Sequence, residues 1–312
     1  MCFTAPMPNS ATVPEAMEGR RLDSALELLV PGQGLRARKR LLETHRVLVD
    51  GRPRPKGYRV QAGQVLSLEP MGEAAPPDPA DWPGLRVVGQ STGRMAALCK
   101  PAGLDTEALA GSPGPSLEGF LPQFFPGRSV TLVNRLDRPV SGVVLAALSP
   151  EAADGYRVDE DAGKVTKVYL ALVHGPCVDD GRELVLDRAI DAARRKVVRV
   201  LDEPDPTGLR HTIVRFLGAV PGRDLSPNDE PGDAVLARVV IHKGARHQIR
   251  AHLAHAGHPI VGDPLYGRGE PGPLYLHHAL LDMPGFQAHA DPFWPQWPQW
   301  EPLVRESGGL WP

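Results

Sequence analysis

Little in this chain of 312 residues advertises a common cofactor chemistry. It has no GxGxxG, no GxxxxGK[ST], no HExxH and no Cys/His zinc spacing, so the dinucleotide, nucleotide-triphosphate and zinc classes lack their sequence basis. Neither cofactor nor metal is expected. Cysteine is scarce: Cys2, Cys99 and Cys177 are too far apart for a CxxC pair and too few for a disulfide framework, which predicts a reducing compartment. The N-terminus shows no apolar signal-like segment, and no run approaches the roughly eighteen apolar residues of a membrane span. A cytoplasmic location without a membrane partner is expected. Net charge is only -2, so a nucleic acid must be held by local basic surface rather than by the field of the whole molecule.

What is present is apolar material, 42% of residues, enough for one large domain and a small one. Residues 1–19, rich in Pro, Ala and Met without periodicity, predict a disordered leader. Between residues 20 and 59, eleven Lys or Arg face four acids. There Leu22, Ala25, Leu26 and Leu29 fall at helical spacing, and RARKR (Arg36, Arg38, Lys39, Arg40) supplies the basic face of a second helix. VLVDG and QVLSLE read as two short strands, the first ending in an Asp-Gly turn. A small α/β domain over residues 20–70 follows, whose basic cluster is read as RNA-binding in preference to a merely solvated helix face. Five prolines in residues 70–84 predict a stiff linker over residues 71–85, ahead of a main domain over residues 86–312. In that domain MAALCK, VVLAAL, VYLALV, TIVRFL and VLARVVIH recur as strands between Pro/Gly turns. Helical patterns lie near residues 116–125 and 248–256, and residues 221–233 read as a hairpin insertion. The expected fold class is α+β, a mixed, largely antiparallel sheet with flanking helices, plus the small N-terminal α/β domain.

Three segments carry residues suited to chemistry. NRLDRPVSGVVLAAL (residues 134–148) sets Arg135 and Asp137 before a tight turn and a buried strand. KVYLALVHG (residues 167–175) places Tyr169 in a strand 32 positions after the Asp. GARHQIRAHLAHAGHPIVGDPLYG (residues 244–267) reads as loop, short helix and turn. In this order, with KPAG (residues 100–103) and LHHA (residues 276–279), they resemble the RluA-type pseudouridine synthases over roughly residues 86–290. Residues 20–70 resemble the αL-type RNA-binding domain of a ribosomal protein, with His45 where a Gly is usual.

The resemblance implies isomerisation of uridine to pseudouridine in structured RNA. The bond from ribose to the base nitrogen breaks, the base turns, and the same ribose carbon joins carbon 5. No electrons or phosphates are exchanged, so no cofactor is called for. The reaction needs an ionised carboxylate beside the sugar, and Asp137 is that group. Burial favours the protonated acid, so a fixed cation is required; the resemblance implies Arg250, whose fork suits a bidentate bond. Tyr169 covers the extruded uracil, and its hydroxyl helps remove the carbon 5 proton. Arg135 fills the gap that the flipped base leaves. Lys100, as a phosphate contact, and Arg246, His247 and Gln248 complete the substrate side, although His247 and Gln248 read first as residues that fix the helix start. Large-subunit ribosomal RNA is the favoured substrate, because this domain pairing resembles the ribosomal members; transfer RNA is the alternative. A monomer is expected.

The chain departs from the family pattern at Asn134 (usually His), Val140 (usually Thr) and Ala245 (usually Arg), with Arg246 placed to take over the last contact. Taken singly, Asp137 reads equally as a turn cap, Tyr169 as a core strand residue and Arg250 as a surface helix residue; order and spacing together favour catalysis. A metal hydrolase is one rival, since His247, His252, His255 and His258 crowd one segment, with His277 and His278 later. Gly257 is expected to end the helix before His258, which weakens it. A binding module that has lost catalysis is the other rival, opposed by the retention of Asp137, Tyr169 and Arg250. WPQWPQW (residues 294–300) repeats at three, the period of a polyproline helix, and is expected to pack on the main domain rather than stack on RNA.

Overall fold

The computed structural model describes residues 10–30, 45–54, 58–70, 78–108, 114–176, 182–191, 197–220, 234–269 and 272–310. The chain divides into two units, residues 1–77 with 108–114, and residues 78–107 with 115–312.

In the first unit β1 (Ser10–Thr12), β2 (His45–Val49), β3 (Arg52–Pro53) and β4 (Val65–Pro70) form an antiparallel sheet in the order β1-β4-β2-β3. Helix α1 (Leu22–Ala25) runs on into a 3-10 turn, and Leu22, Ala25, Leu26 and Leu29 bury against Val47, Val49 and Leu66. Asp50 and Gly51 join β2 to β3 with φ of 51° and 72°, the left-handed pair that an Asp-Gly hairpin turn requires. Residues 10–19 are not the disordered leader expected from composition. β1 pairs with β4, Val13 is buried, and Glu15–Met17 forms a 3-10 turn. The cause is edge satisfaction: without β1, one side of β4 would expose a row of unpaired backbone groups. The basic run of Arg36, Arg38, Lys39 and Arg40 lies outside the described residues.

The second unit is built on a mixed sheet of β5 (Arg86–Gln90), β6 (Met95–Lys100), β7 (Thr131–Leu132), β8 (Ser141–Ala147), β9 (Thr166–His174) and β10 (Leu184–Leu186) with four later strands. A separate pair, β11 (Arg188–Asp191) and β12 (Arg199–Pro204), precedes those four, which are β13 (Thr212–Val220), β14 (Ala234–Ile241), β15 (Leu276–Met283) and β16 (Phe286–His289). The order is β10-β13-β14-β9-β15-β8-β6-β5, with β7 on β8 and β16 on β15. Among the described residues every strand pairing is antiparallel except β15 on β8. This is the α+β, largely antiparallel architecture that the strand patterns predict. β13 and β14 pair up to Val220 opposite Ala234, so residues 221–233, outside the described residues, join two strands of one hairpin.

β8 and β14 are buried along their whole length, as their unbroken apolar runs require. Alternation assigns the faces. Val144 and Ala146 of β8 pack with Tyr169, Ala171 and Val173 of β9 and with helix α2 (Leu117–Phe124). Val143, Leu145 and Ala147 pack under helix α3 (Pro150–Asp161), which Ser149 caps with Pro150 in the first turn. Helix α4 is Gln248–His255. The second half of the Trp-Pro-Gln repeat is helical, not polyproline: in α5 (Trp297–Glu306) Trp297, Trp300 and Val304 share one face and bury with Tyr275 and with Trp294, which precedes the helix. A spacing of three serves either structure, and the apolar partners on β9 and β14 decide for the helix. Residues 78–85 are no linker either. Asp78 caps a 3-10 turn at Pro79–Asp81, Trp82 packs on the core, and Leu85 is buried.

The parallel pairing of β15 with β8 sets Ser141 and Gly142 against His277 and His278. Gly142 has φ of 119°, and a Cβ there would lie 2.3 Å from the His278 carbonyl oxygen. Gly142→Ala is expected to force β8 and β15 apart and to destabilise by at least the ~1–3 kcal/mol typical of overpacking. Gly155→Ala, inside α3 with open space at its Cβ position, is expected to stabilise by about 0.5–1 kcal/mol. Urea denaturation of both variants beside the parent chain checks the two signs.

Candidate active site

Asp137 opens a tight turn in which the Val140 amide donates to the Asp137 carbonyl at 3.0 Å. The loop that carries it is fastened on several sides. Asn134 Oδ1 accepts from the Leu145 amide at 2.6 Å, so the residue replacing the usual His anchors the loop to β8. Thr106 Oγ1 donates to the Leu136 carbonyl at 2.7 Å, and Arg138 Nε donates to the Gly103 carbonyl at 2.9 Å. Lys100, expected to meet phosphate, is instead fully buried. Its ammonium donates to the carbonyls of Pro101, Leu104 and Arg138 at 3.0, 2.8 and 3.3 Å and ties two loops together. Burial pulls its pKa down to about 7, against the nearby charges of Asp105 and Asp137.

Arg250 projects from α4 to the same place. Its Nη1 donates to Asp137 Oδ2 at 2.9 Å, so the expected pair forms. The expected bidentate fork, however, closes on a different carboxylate: Nε and Nη2 donate to Asp263 Oδ2 and Oδ1, each at 2.7 Å. Asp263 also accepts the amides of Leu265 and Tyr266 at 2.9 and 3.1 Å. Burial pushes the Asp263 pKa up, but the Arg250 bonds and these amides outweigh it and leave the carboxyl below its ordinary value. For Arg250 burial likewise opposes the charge, and the bonds to Asp263 and Asp137 raise its pKa in spite of it. Asp263 lies in the last part of residues 244–267, which reads from the sequence only as a turn. The usable signal was donor arithmetic: a buried guanidinium has five N–H groups, and one carboxylate at a cleft cannot take them all.

His247 and Gln248 start α4. His247 sits at φ of 56°, its Nδ1 3.0 Å from the Tyr266 hydroxyl and its Nε2 3.6 Å from Asp137 Oδ2. Burial lowers the His247 pKa, so at neutral pH the imidazole is uncharged beside Asp137. Gln248 is buried; its amide donates to the Arg210 carbonyl at 2.7 Å and its oxygen accepts from the Ala245 amide at 2.9 Å, which shapes the loop before the helix. His252 has both ring nitrogens engaged, at 2.9 Å with Thr212 Oγ1 and 2.9 Å with the Arg188 carbonyl, so it offers no open donor for a metal.

Tyr169 stands opposite His278 in the β9–β15 register, and the two rings stack at 4.5 Å and 15°. His278 is fixed by its Nδ1, which donates to the Val143 carbonyl at 2.6 Å. Burial raises the Tyr169 pKa, with the charges of Asp137 and Glu160 adding to it, so the phenol is protonated at neutral pH. Asp137, Tyr169 and Arg250 line one cleft of about 330 Å³, at the small end of the range for ligand sites. Glu160 and Lys167 line it too. Arg135 and Arg246 are exposed and border the same cleft, Arg135 paired with Glu107 at 3.1 Å. A carboxylate oriented by a guanidinium, next to an aromatic ring in a space of this size, can act as nucleophile or base on one ring-sized group.

Known proteins share much of this chain. A family profile described as RNA pseudouridylate synthase matches residues 94–255. An "Uncharacterized RNA pseudouridine synthase" of Chloroflexus aurantiacus is 31% identical over 85% of this chain and 80% of its own length. A "Ribosomal large subunit pseudouridine synthase D" of Xanthomonas campestris is 31% identical over 82% of this chain and 74% of its own. Among solved structures, "Human RNA Pseudouridylate Synthase Domain Containing 1" shares the fold, with a TM-score of 0.54 and 24% identity over 68% of this chain and 85% of that one. The chain belongs to the RNA pseudouridylate synthase family, as its RluA-type motifs imply.

Proposed function

We propose that this pseudouridine synthase modifies uridine in large-subunit ribosomal RNA, with Asp137 as the reacting carboxylate, Arg250 as its fixed cation and Tyr169 as the ring over the extruded base. The observation that carries this reading is the division of Arg250 between two carboxylates at the cleft. Asp263 takes the fork, so the buried guanidinium is neutralised without Asp137. Asp137 is left oriented by one bond and retains the negative charge that either nucleophile or base chemistry needs. The name of the Xanthomonas relative supports ribosomal RNA as substrate. The excess of basic residues between 20 and 59 supports RNA binding by the first unit, with Arg36, Arg38, Lys39 and Arg40 as its core.

Extrusion of a stacked uridine costs a few kcal/mol, which a guanidinium stacked in the vacated place helps to offset. Arg135 is the candidate. Its pair with Glu107 is solvent-exposed on both sides, and such pairs are worth only about 0–1 kcal/mol, so the arm can leave its resting partner. Arg246 adds a second cation at the rim in place of the usual Arg at position 245.

Asp137→Asn is expected to fold like the parent and bind RNA, yet to lose pseudouridine formation by on the order of 10³-fold or more. An inactive parent that binds RNA tightly would instead mark a binding protein. Mapping pseudouridine across cellular RNA with and without the protein tests the substrate: a site lost from the large ribosomal subunit is expected, and a site lost only from transfer RNA overturns that assignment.

Asp263→Asn is expected to destabilise the catalytic unit by about 3–5 kcal/mol, because a buried guanidinium loses its charge partner. At temperatures where the variant remains folded, its rate is expected to fall as well, since Arg250 is then free to close its fork on Asp137. Denaturation curves and initial rates on the same preparation measure the two effects.

A further inference from the structure

The cleft has a second charged end that the proposed chemistry leaves unused. Lys167 and Tyr169 are two apart on β9 and therefore present their side chains to the same face. The Lys167 side chain is 5% exposed and its ammonium pairs with Glu160, from the last turn of α3. Glu160 Oε1 also accepts from the Tyr156 hydroxyl at 2.9 Å. Among the described residues both bonds fall on this one oxygen, and Oε2 accepts none. Glu160 is 20% exposed, and both residues line the cleft beside Tyr169.

A buried ion pair adds little net stability over well-packed apolar side chains, so folding alone gives no reason for one at this place. Much of the surrounding wall is apolar, including Val133, Leu136, Val140, Ile241 and Leu276. The pair offers an open carboxylate oxygen next to an ammonium with unused N–H groups. That is the complement of the uracil edge, where N3–H is a donor and O2 and O4 on either side are acceptors. Cytosine presents an unprotonated N3 and an amino group at the same two positions, which opposes both charges.

We propose that Glu160 and Lys167 read the Watson–Crick edge of the extruded uracil, Glu160 accepting from N3–H and Lys167 donating to the adjacent carbonyl. The inference rests on the functional reading above and names the residues that select the base. The geometry of the reaction fits it. To exchange N1 for carbon 5 at the sugar, the base must turn about the axis through N3 and carbon 6. N3–H lies on that axis and stays in place, while O2 and O4 exchange positions. Glu160 can therefore keep its bond through the turn, and Lys167 meets O4 before it and O2 after. In the overall change the carbon–N1 bond breaks, the bond to carbon 5 forms, carbon 5 gives up its proton and N1 gains one. Glu160 and Lys167 exchange no atoms.

The test compares RNA carrying uridine with RNA carrying N3-methyluridine at the target position, with pseudouridine or its N3-methyl analogue as the product measured. The parent is expected to prefer uridine by at least about 100-fold in kcat/KM, as sites built to bond a donor do. In Glu160→Ala that preference is expected to fall by at least about 10-fold, because the acceptor is gone and the methyl group has room. Glu160→Gln, which keeps an oxygen and the volume, is expected to restore most of it. A merely structural Glu160 would lower both rates together and leave their ratio unchanged, which overturns the inference. Should Glu160→Ala fail to fold, equal turnover of the two RNAs by the parent overturns it just as well. A parent inactive on uridine RNA would count against the functional reading; an active parent whose ratio does not move counts against base reading alone.

Discussion

Arg250 is buried between two carboxylates, and the way it divides its donors decides the electrostatic state of the cleft. Left to itself, a guanidinium in such a place would need full neutralisation, and a lone aspartate would supply it only by surrendering its own charge to a closed pair. Asp263, held by its own backbone amides, takes the fork and closes the charge balance away from solvent. Asp137, bonded to the guanidinium through one oxygen, is the member of the three that opens on the cleft. One guanidinium thus serves as a structural ion on one side and as an orienting donor on the other.

This division depends on a rigid frame. The Asp137 turn is bonded to the neighbouring segment of residues 100–106 through Thr106, Arg138 and the buried Lys100 ammonium. It leads into Ser141 and Gly142, where β8 meets β15 in parallel. Directly beyond, Val143 holds the His278 ring, and His278 supports Tyr169. Carboxylate and aromatic ring are therefore set at opposite ends of one short path through the sheet. The close approach at Gly142 keeps that path short.

Much of this could be read from the chain before any coordinates. The runs of β-branched residues in β8, β9 and β14, the helix at residues 248–255 and the Asp50–Gly51 turn follow from pattern alone, and the contact between Asp137 and Arg250 follows from the motif resemblance. Asp263 escaped because an Asp before Pro-Leu-Tyr-Gly reads as a turn residue, and its amide bonds do build that turn; the second role needs a partner thirteen positions away. Helix α3 begins with legible signals, Ser149, Pro150 and Glu151, but only Ala152, Ala153 and Tyr156 are buried in it, too narrow a stripe to show as periodicity. Lys100 looked like a surface cation because nothing local shows that three carbonyls converge on it. Residues 10–12 look formless until β4, more than fifty positions on, offers them an edge.

The ion pair between Arg135 and Glu107 has a bearing on how ionic strength acts on the enzyme. Salt weakens attraction between a cationic arm and the RNA backbone, which lowers affinity. The same screening loosens an exposed pair of this kind, freeing the arm that in the proposed reading enters the helix. At this one residue the two influences have opposite sign, so the proposed insertion of the arm is buffered against changes in the surrounding electrolyte, in contrast to a phosphate contact made by a cation without a resting partner.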